Sequence, residues 1–424
     1  MRILIALTLY VSFAAGAFAD APHKSIEEVT PAWMAMHDKG LEANAHQNYA
    51  EAADYFKQSW SLAGTAVERG VSENDLGQTY RRLKRAGDAK EWLGRAYLTW
   101  REIPRAGRNL VVATSCLAEL YRNEGNYQRA ETLLREAMNI GNNDPQSREN
   151  IRNALADLLR EEGKSQEARQ LFEDSLKENG VSWQERANAL SGLADIDRQS
   201  GDWEASAQKW NQVLEVASEQ KDAVAEAIAT RGLASMWLET GQVARAEPLF
   251  RRAVSLIEKS PDPPQDQLAA ALAGIGGLYR AENKLTLAED AFLRALQLDR
   301  VALGEAHPQV AWLMEMLSDV YSTMGERDMA LDYASKAVIV MQGLFGDASL
   351  PAAASMANRA TVEQREKEVD AALKDFDRAL GIARSYPGNE VFKRTLTERY
   401  AALLKSMHRD REAKGLSALA KSFR

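Results

Sequence analysis

The chain has 424 residues, of which 45% are hydrophobic and 27% are charged, and its formal net charge is -8. This length exceeds what one ordinary compact core accommodates, so the sequence predicts several domains or an array of repeats. The negative net charge is unfavourable for contact with phosphate backbones, so nucleic acid is not expected as a partner.

The amino-acid composition favours helices over strands. Gly and Pro are sparse, at 26 and 11 residues, whereas Ala, Leu, Glu, Arg and Gln recur throughout the chain. The recurring residues have high helix propensity, and Gly and Pro have the lowest. The sequence therefore predicts an all-α protein.

The first residues, MRILIALTLYVSFAAGAFADAP, combine Arg2, an apolar run from Ile3 to about Ala15, and small residues at the end of that run. This order is typical of a secretory signal peptide. The apolar run is shorter than the roughly 20 residues that a membrane-spanning helix needs, and no later segment is longer, so the mature chain is expected to have no transmembrane segment. We predict a signal peptide over residues 1–19 and a short linker over residues 20–30.

The chain contains one cysteine, Cys116, so it cannot form a disulfide bond within itself. A eukaryotic secreted array of this size more often carries disulfides, so the predicted location of the exported chain is a bacterial periplasm, with secretion to the cell exterior as the alternative. A free cysteine is usually a small buried apolar residue, and no redox role is assigned to Cys116.

A helical hairpin is predicted by the stretch LAELYRNEGNYQRAETLLREA, which begins at Leu117 and ends at Ala137. Leu117, Ala118 and Tyr121 share one face of a first helix, Gly125 interrupts it, and a second helix follows with small and large residues again on one face. Small residues at fixed positions let two helices approach closely, while the large ones fill the space beside them.

The same order of small and large residues recurs along most of the chain. An Ala near the start of each second helix marks the phase at Ala130, Ala168, Ala246, Ala288, Ala330 and Ala372. From Ala246 to Ala372, each of these alanines lies 42 residues after the previous one. Pro248 is the one proline inside a second helix, which predicts that this helix begins a turn later than its neighbours.

This pattern resembles the tetratricopeptide repeat, a unit of two helices with small, large and aromatic residues at fixed positions. The 42-residue step and the junction LGEAHPQVAWLMEML are similar to the kinesin light chain type. The resemblance implies an α-α superhelix, a right-handed solenoid of about ten helical hairpins over residues 31–424. The predicted repeats span residues 33–66, 70–103, 111–144, 149–182, 187–220, 227–260, 269–302, 311–344, 353–386 and 394–424.

The resemblance also implies a concave groove, lined by first-helix residues outside the packing set. In four units these residues are a small hydrogen-bonding side chain, an acid or amide, and an arginine: Asn74, Gln78, Arg81, Ser115, Glu119, Arg122, Asn153, Asp157, Arg160, Ser191, Asp195 and Arg198. Two interpretations stay open. In the first, these side chains form parallel rows along the groove that hold an extended partner chain through its backbone amides and charges. In the second, the acids and arginines pair with each other on a solvated face.

The later units differ, because the same face becomes more apolar near Ala273 and Gly277. Arg231, Arg280 and Trp312 complete the set of candidate groove residues. A face of this kind suits an inserted apolar side chain, although a Trp in a repeat array is more often a core or edge residue.

The sequence shows no catalytic or metal-binding motif. None of its five His residues lies four residues from another, the spacing that a helical zinc site uses. No nucleophile elbow, P-loop or dinucleotide-binding fingerprint occurs. We therefore predict a non-enzymatic protein without catalytic, cofactor-binding or metal-binding residues. His307, in the loop before Pro308, is predicted to be a capping residue.

The predicted function is an exported scaffold that binds a protein or an extended peptide in its groove, within an envelope assembly or secretion complex. The alternative is a periplasmic holding chaperone or a regulator of an envelope enzyme. The final segment, YAALLKSMHRDREAKGLSALAKSFR, is expected to cap the array. Its alternation of basic and apolar residues also fits peripheral membrane contact through the C-terminal helix.

Overall fold

The computed structural model describes residues 30–83, 85–104, 106–140, 145–178, 180–260 and 263–423. The predicted signal peptide, residues 1–19, lies outside the described residues, as does the predicted linker apart from Thr30.

The described residues form twenty α-helices and no strand, which confirms the predicted all-α fold and fits ten successive hairpins. The predicted repeats begin inside the first helix of each pair. The helices are α1 Pro31–Ala45, α2 Tyr49–Leu62, α3 Ala66–Arg82, α4 Ala86–Glu102, α5 Gly107–Asn123, α6 Tyr127–Ile140, α7 Pro145–Glu161, α8 Ser165–Lys177, α9 Trp183–Gln199, α10 Trp203–Glu219, α11 Ala223–Glu239, α12 Val243–Glu258, α13 Gln265–Ala281, α14 Leu285–Leu303, α15 Pro308–Met324, α16 Arg327–Phe345, α17 Leu350–Arg365, α18 Val369–Ser385, α19 Glu390–Ser406 and α20 Asp410–Ser422.

The helices fall into two compact units. Residues 30–122 and 128–154 belong to the N-terminal unit, and residues 123–127 and 155–423 belong to the C-terminal unit. Within the C-terminal unit each helix from α8 to α19 packs against the next one, and several first helices also pack against the first helix of the following hairpin, as α11 does against α13. The core of this unit therefore runs along the stack of hairpins, as expected for an array in which no hairpin buries its apolar face alone.

Small residues on first helices face large residues on second helices. A Cβ atom added at Gly276 of α13 would lie 2.8 Å from the ring of Phe292 in the same hairpin. A Cβ atom added at Gly274 would overlap the ring of Phe250 in the preceding hairpin. Both rings are almost fully buried. Glycine at these two positions thus sets how closely α13 approaches the helices on either side of it.

In most hairpins the described residues of the turn include one with positive φ. Gly241 and Gly325 hold this position with φ values of 72° and 82°, and Asn283 holds it between them with a φ of 57°. Glycine adopts this conformation without steric cost and Asn tolerates it better than most residues, so these turns follow from their sequence.

Helix α12 does not begin a turn later than its neighbours, so the prediction from Pro248 is wrong. The helix begins at Val243 and Pro248 lies inside it. Proline in a helix interior removes one backbone hydrogen bond. Phe250 and Ala253 of the same helix are fully buried, and this packing keeps the helix in phase with the others.

The last described helix, α20, packs on the hairpins before it. Ala413 and Ala420 of α20 are buried, and Leu416 and Leu419 pack against the apolar cluster of the last two hairpins. The basic residue Lys421 is exposed on the same helix. The apolar face of α20 is thus turned toward the preceding hairpins, and both the predicted cap and the predicted membrane contact stay predictions.

Replacement of Gly274 by alanine is expected to destabilise the C-terminal unit by about 1–3 kcal/mol, because the new methyl group would collide with the ring of Phe250. A matched control is Gly343→Ala in α16, where an added Cβ meets no atom within 4 Å. Alanine has the higher helix propensity, so the control is expected to gain up to about 1 kcal/mol. Urea unfolding followed by circular dichroism measures both. If the two substitutions change the free energy of unfolding equally, the close approach of α13 to the ring of Phe250 is contradicted.

Candidate functional site

The small hydrogen-bonding residues of the predicted groove are buried or half-buried. Asn74 and Asn153 are each 8% exposed, and their Oδ1 atoms have no hydrogen-bond partner among the described residues. The hydroxyl of Ser191 donates to the carbonyl oxygen of Ala187, one turn earlier in its own helix, at 2.8 Å. Ser115 is half-buried. These side chains therefore present little surface to a partner.

In the N-terminal unit, Arg81 of α3 pairs with Glu119 of α5. Another nitrogen of the same guanidinium donates to Sγ of Cys116 at 3.2 Å. Cys116 is half-buried, and burial raises the pKa of its thiol while the charge of Arg81 opposes that shift. Gln78 and Arg122 are half-buried on the same two helices.

In the C-terminal unit, the arginines again reach the first helix of the next hairpin. Arg160 of α7 lies 3.5 Å from Asp195 of α9 and 3.4 Å from Asp157 of its own helix. Arg198 of α9 lies 2.8 Å from Glu239 of α11 and 3.3 Å from Asp195. The acids and arginines therefore pair with each other, as the second interpretation of these rows requires.

We call the pairs between successive first helices the ion-pair ladder. Its arginine members are Arg81–Glu119 in the N-terminal unit, and Arg160–Asp195, Arg198–Glu239, Arg280–Asp319 and Arg365–Asp319 in the C-terminal unit. The side chains of the ladder are between about one fifth and one half exposed. Pairs exposed to this degree typically contribute less than about 1 kcal/mol each.

The ladder is interrupted between α11 and α13. Among the described residues of these two helices no ion pair joins one to the other. The positions that hold acids and arginines elsewhere are occupied by Ser235, Leu238 and Gly277. Because Leu238 carries no charge and Gly277 has no side chain, this part of the surface is both less polar and more open.

A cleft of about 890 Å³ lies at this interruption, within the C-terminal unit. Its walls include Leu238, Gly277, Trp312, Met316 and Met341. Trp312 is 43% exposed, and an added Cβ at Gly277 would meet only a methyl group of Leu238, at 3.7 Å. The cleft therefore exposes a large aromatic ring beside open space, an arrangement suited to an apolar side chain of a partner.

The structure brings five of the predicted candidate residues to this cleft: Asp195, Arg198, Arg231, Arg280 and Trp312. Arg231 differs from the ladder arginines because its guanidinium makes only a long hydrogen bond, 3.5 Å, to the amide oxygen of Gln267. Burial lowers the pKa of Arg231, and the charge of Asp266 opposes this effect. A half-buried cation without a close carboxylate favours an anionic group nearby.

A second pocket, of about 440 Å³, adjoins the cleft, since Arg280 and Met316 line both. In it Asp319 accepts hydrogen bonds from Arg280 at 2.7 Å and from Arg365 at 2.5 Å. Arg399 also lines this pocket, and its guanidinium donates to a neutral amide of α17 at 3.2 Å. The lining of the pocket thus contains three arginines and two acids, Asp319 and Glu315, in a chain that is negative as a whole.

Sequence reasoning missed several residues of this surface, namely Glu239, Met316, Met341, Arg365 and Arg399. Glu239 follows Leu238, one position outside the three that were read in each first helix. Met341 lies on a second helix, whereas all the candidate groove residues lie on first helices. A comparison at the 42-residue step places Met341 in line with Asp299 and, one step further, with Ile257.

The described residues show no cluster of three or more His, Cys, Asp or Glu side chains placed to hold a metal ion. Within the same residues, none of the helices is both long and apolar enough to cross a membrane. His307 caps α15 as predicted, because its Nδ1 accepts a hydrogen bond from the backbone N–H of Gln309 at 3.2 Å.

A family model described as tetratricopeptide repeat matches residues 109–177, 185–259 and 266–341, just over half of the chain. Together with the twenty paired helices, this match confirms the resemblance inferred from the order of small and large residues. The matched segments include the hairpins that form the cleft.

Two solved structures share the fold at low sequence identity. A tetratricopeptide repeat protein from Parabacteroides merdae has a TM-score of 0.51 and 16% identity, over 68% of this chain and 98% of that one. A Rap protein complexed with competence and sporulation factor has a TM-score of 0.52 and 11% identity, over 84% and 97%. Kinesin light chain repeats from Podosopora anserina also match, with a TM-score of 0.40 and 17% identity, over 46% and 93%.

Curated relatives match only part of the chain. It is 29% identical over 119 residues to a clustered mitochondria protein homolog from Emericella nidulans, which is 28% of this chain and 10% of that protein. It is 33% identical over 91 residues to the homolog from Neurospora crassa, 22% of this chain and 7% of that protein. The chain thus spans about a tenth or less of the length of these relatives.

The predicted localisation, export to a bacterial periplasm, is contradicted by these relatives and is wrong. They are fungal proteins that bear the name clustered mitochondria protein homolog. The physical reason for the error is that one free cysteine does not distinguish an oxidising compartment without disulfides from a compartment in which thiols stay reduced. The envelope setting of the predicted function depended on this location.

The ion-pair ladder is expected to contribute little free energy of unfolding. In a double-mutant cycle of Arg198→Ala and Glu239→Ala, the coupling energy is expected to be about 0.2–1 kcal/mol and to fall as salt is raised. Urea unfolding of the four proteins at low and high salt measures it. As a control, Arg198→Ala combined with Asp290→Asn, an exposed acid on α14, should give additive effects. A coupling above about 2 kcal/mol would mean that the pair acts as a buried one.

Proposed function

Because the chain belongs to the tetratricopeptide repeat family, we propose that it is a non-enzymatic protein-interaction scaffold that binds an extended segment of a partner in the cleft of its C-terminal unit. The observation that carries this proposal is the open, partly apolar cleft of about 890 Å³ at the interruption of the ion-pair ladder. Pockets of a few hundred to about a thousand Å³ hold ligands in proteins generally.

The apolar walls of the cleft provide the affinity. Leu238, Trp312, Met316 and Met341 come from three different helices, α11, α15 and α16, and line one cavity. Burial of one large apolar side chain of a partner among them would contribute about 1.5–3 kcal/mol. Methionine adapts its shape to what it contacts, so this pair of Met residues suits a range of apolar anchors.

The charged groups around the cleft provide selectivity. Arg231 has no close carboxylate within the described structure, so an acidic group of the partner near the apolar anchor would recover part of the free energy that its burial costs. The ladder arginines already have acidic partners, so Arg198 and Arg280 are expected to add little to partner binding although they line the cleft. Their role in the proposal is to hold successive first helices in register.

The fold neighbours are consistent with a bound partner. The Rap protein with this fold was crystallised in complex with competence and sporulation factor. A helical array of this kind therefore accommodates a ligand.

The proposal is tested by selecting short peptides from a random display library against the whole chain. Peptides with a large apolar residue near an acidic one are expected to be enriched. Gly277→Leu is expected to weaken their binding at least about tenfold, since the leucine side chain would project into the open space of the cleft beside Leu238. Gly343→Leu on α16, an exposed position with open space around it, is the matched control and should bind as wild type does.

Two results would contradict the proposal. Equal affinity of the selected peptides for wild type and Gly277→Leu would place the binding surface elsewhere. Weak enrichment of unrelated sequences, without a shared anchor, would instead indicate a holding chaperone. In both cases circular dichroism of the variants shows whether the fold is retained.

A further inference from the structure

Asp299 near the end of α14 is fully buried, with 0% exposure. Both of its carboxylate oxygens are enclosed and have no hydrogen-bond partner among the described residues. A buried carboxylate without hydrogen bonds is costly when charged, and such groups are normally paired in folded proteins. The position therefore needs a physical explanation beyond packing.

The repeat makes the contrast explicit. One 42-residue step before Asp299 is Ile257, and one step after it is Met341. Ile257 is 2% exposed and packs in an apolar cluster with Ala227 and Ala271. Met341 packs against the apolar clusters of the following hairpins and lines the cleft. Asp299 is thus an acid at a position whose equivalents in both neighbouring hairpins are apolar.

The charged groups around Asp299 do not offset the cost of burying its carboxylate. From α13, Asp266 acts on it with a charge of the same sign. The first residues of α15, from Pro308 to Met314, include no ionisable side chain. In the loop before α15, Glu305 pairs with Arg300 at 3.0 Å and His307 caps the helix. Burial first, and Asp266 second, raise the pKa of Asp299 to about 6.

Asp299 is also connected to the cleft. The helices that pack on α14 are α13 and α15, and both of them contribute cleft walls, through Gly277 and Trp312. Asp266 acts electrostatically on Asp299 and on Arg231 of the cleft. A change of charge at Asp299 therefore reaches the cleft through packing and through a shared neighbour.

We propose that the charge of Asp299 controls how tightly α13, α14 and α15 pack, so that acid tightens these helices and the cleft between them and neutral pH loosens both. The second half of this statement, the effect on the cleft, rests on the proposed function. The folded chain takes up the proton more readily than the unfolded chain. The contribution of Asp299 is therefore most favourable below its ordinary pKa of 3.8 and is lost as pH rises to about 6.

The test compares the whole wild-type chain with Asp299→Asn by amide hydrogen exchange at pH 5.0 and pH 7.5, corrected for intrinsic exchange rates. Relative to the variant, wild-type protection in α13, α14 and α15 is expected to fall about tenfold between the two pH values. Asp290→Asn, an exposed acid on the same helix, is the matched control and should follow wild type. Asp299→Ile restores the residue type of the preceding hairpin and is expected to give high, pH-independent protection.

Other titrating groups do not obscure this comparison. Burial, together with the charge of Asp375, raises the pKa of Glu363 in α17 to about 7, and Arg359 opposes the shift. Glu363 is present in wild type and in every variant, so its effect cancels in the differences. If wild type and Asp299→Asn show the same pH dependence, the proposal is overturned.

A second measurement separates this inference from the proposed function. The affinity of a peptide selected from the display library is measured at both pH values, for wild type and Asp299→Asn. Weaker binding at pH 7.5 in wild type alone supports coupling to the cleft, and an unchanged affinity ratio overturns the coupling. If the library yields no binding peptide, the proposed function fails, while the exchange experiment still decides the role of Asp299.

Discussion

The contact between a residue without a large side chain on one helix and a buried ring on the next is the constraint on which the array depends. At Gly274 and Gly276 of α13 there is no space for a Cβ atom, because Phe250 and Phe292 occupy it from the two sides. Such contacts fix the distance between helices, and their repetition fixes the stack. Where glycine faces outward, as at Gly277, the same lack of a side chain leaves a cleft instead.

The ion-pair ladder and the cleft are two uses of one surface. Exposed pairs such as Arg198–Glu239 contribute little free energy, yet they occupy the guanidinium groups with carboxylates of the chain itself. A partner gains little from a group that is already paired. Recognition is therefore best placed where the ladder stops, at Leu238 and Trp312, and where Arg231 has no close acid.

The sequence predicted the fold because small and large core residues recur at a fixed step, and this order depends on packing alone. It predicted part of the site, since Arg231, Arg280 and Trp312 line the cleft. It could not predict that Asn74 would be buried or which acids pair with which arginines, because side-chain direction across hairpins is set by tertiary contacts. Pro248 shows the same limit, since packing of its helix overrides a local preference.

The placement of Asp299 makes sense only when the stability of an array is treated as a sum over neighbours. In a compact globular core, an ionised buried acid would lower the stability of the whole domain. In a stack, the cost falls on the hairpin that contains the acid and on those beside it. Ile257 and Met341 keep the adjoining equivalent positions apolar. A single acid can therefore loosen α13, α14 and α15, and the cleft they wall, while the remaining hairpins stay packed.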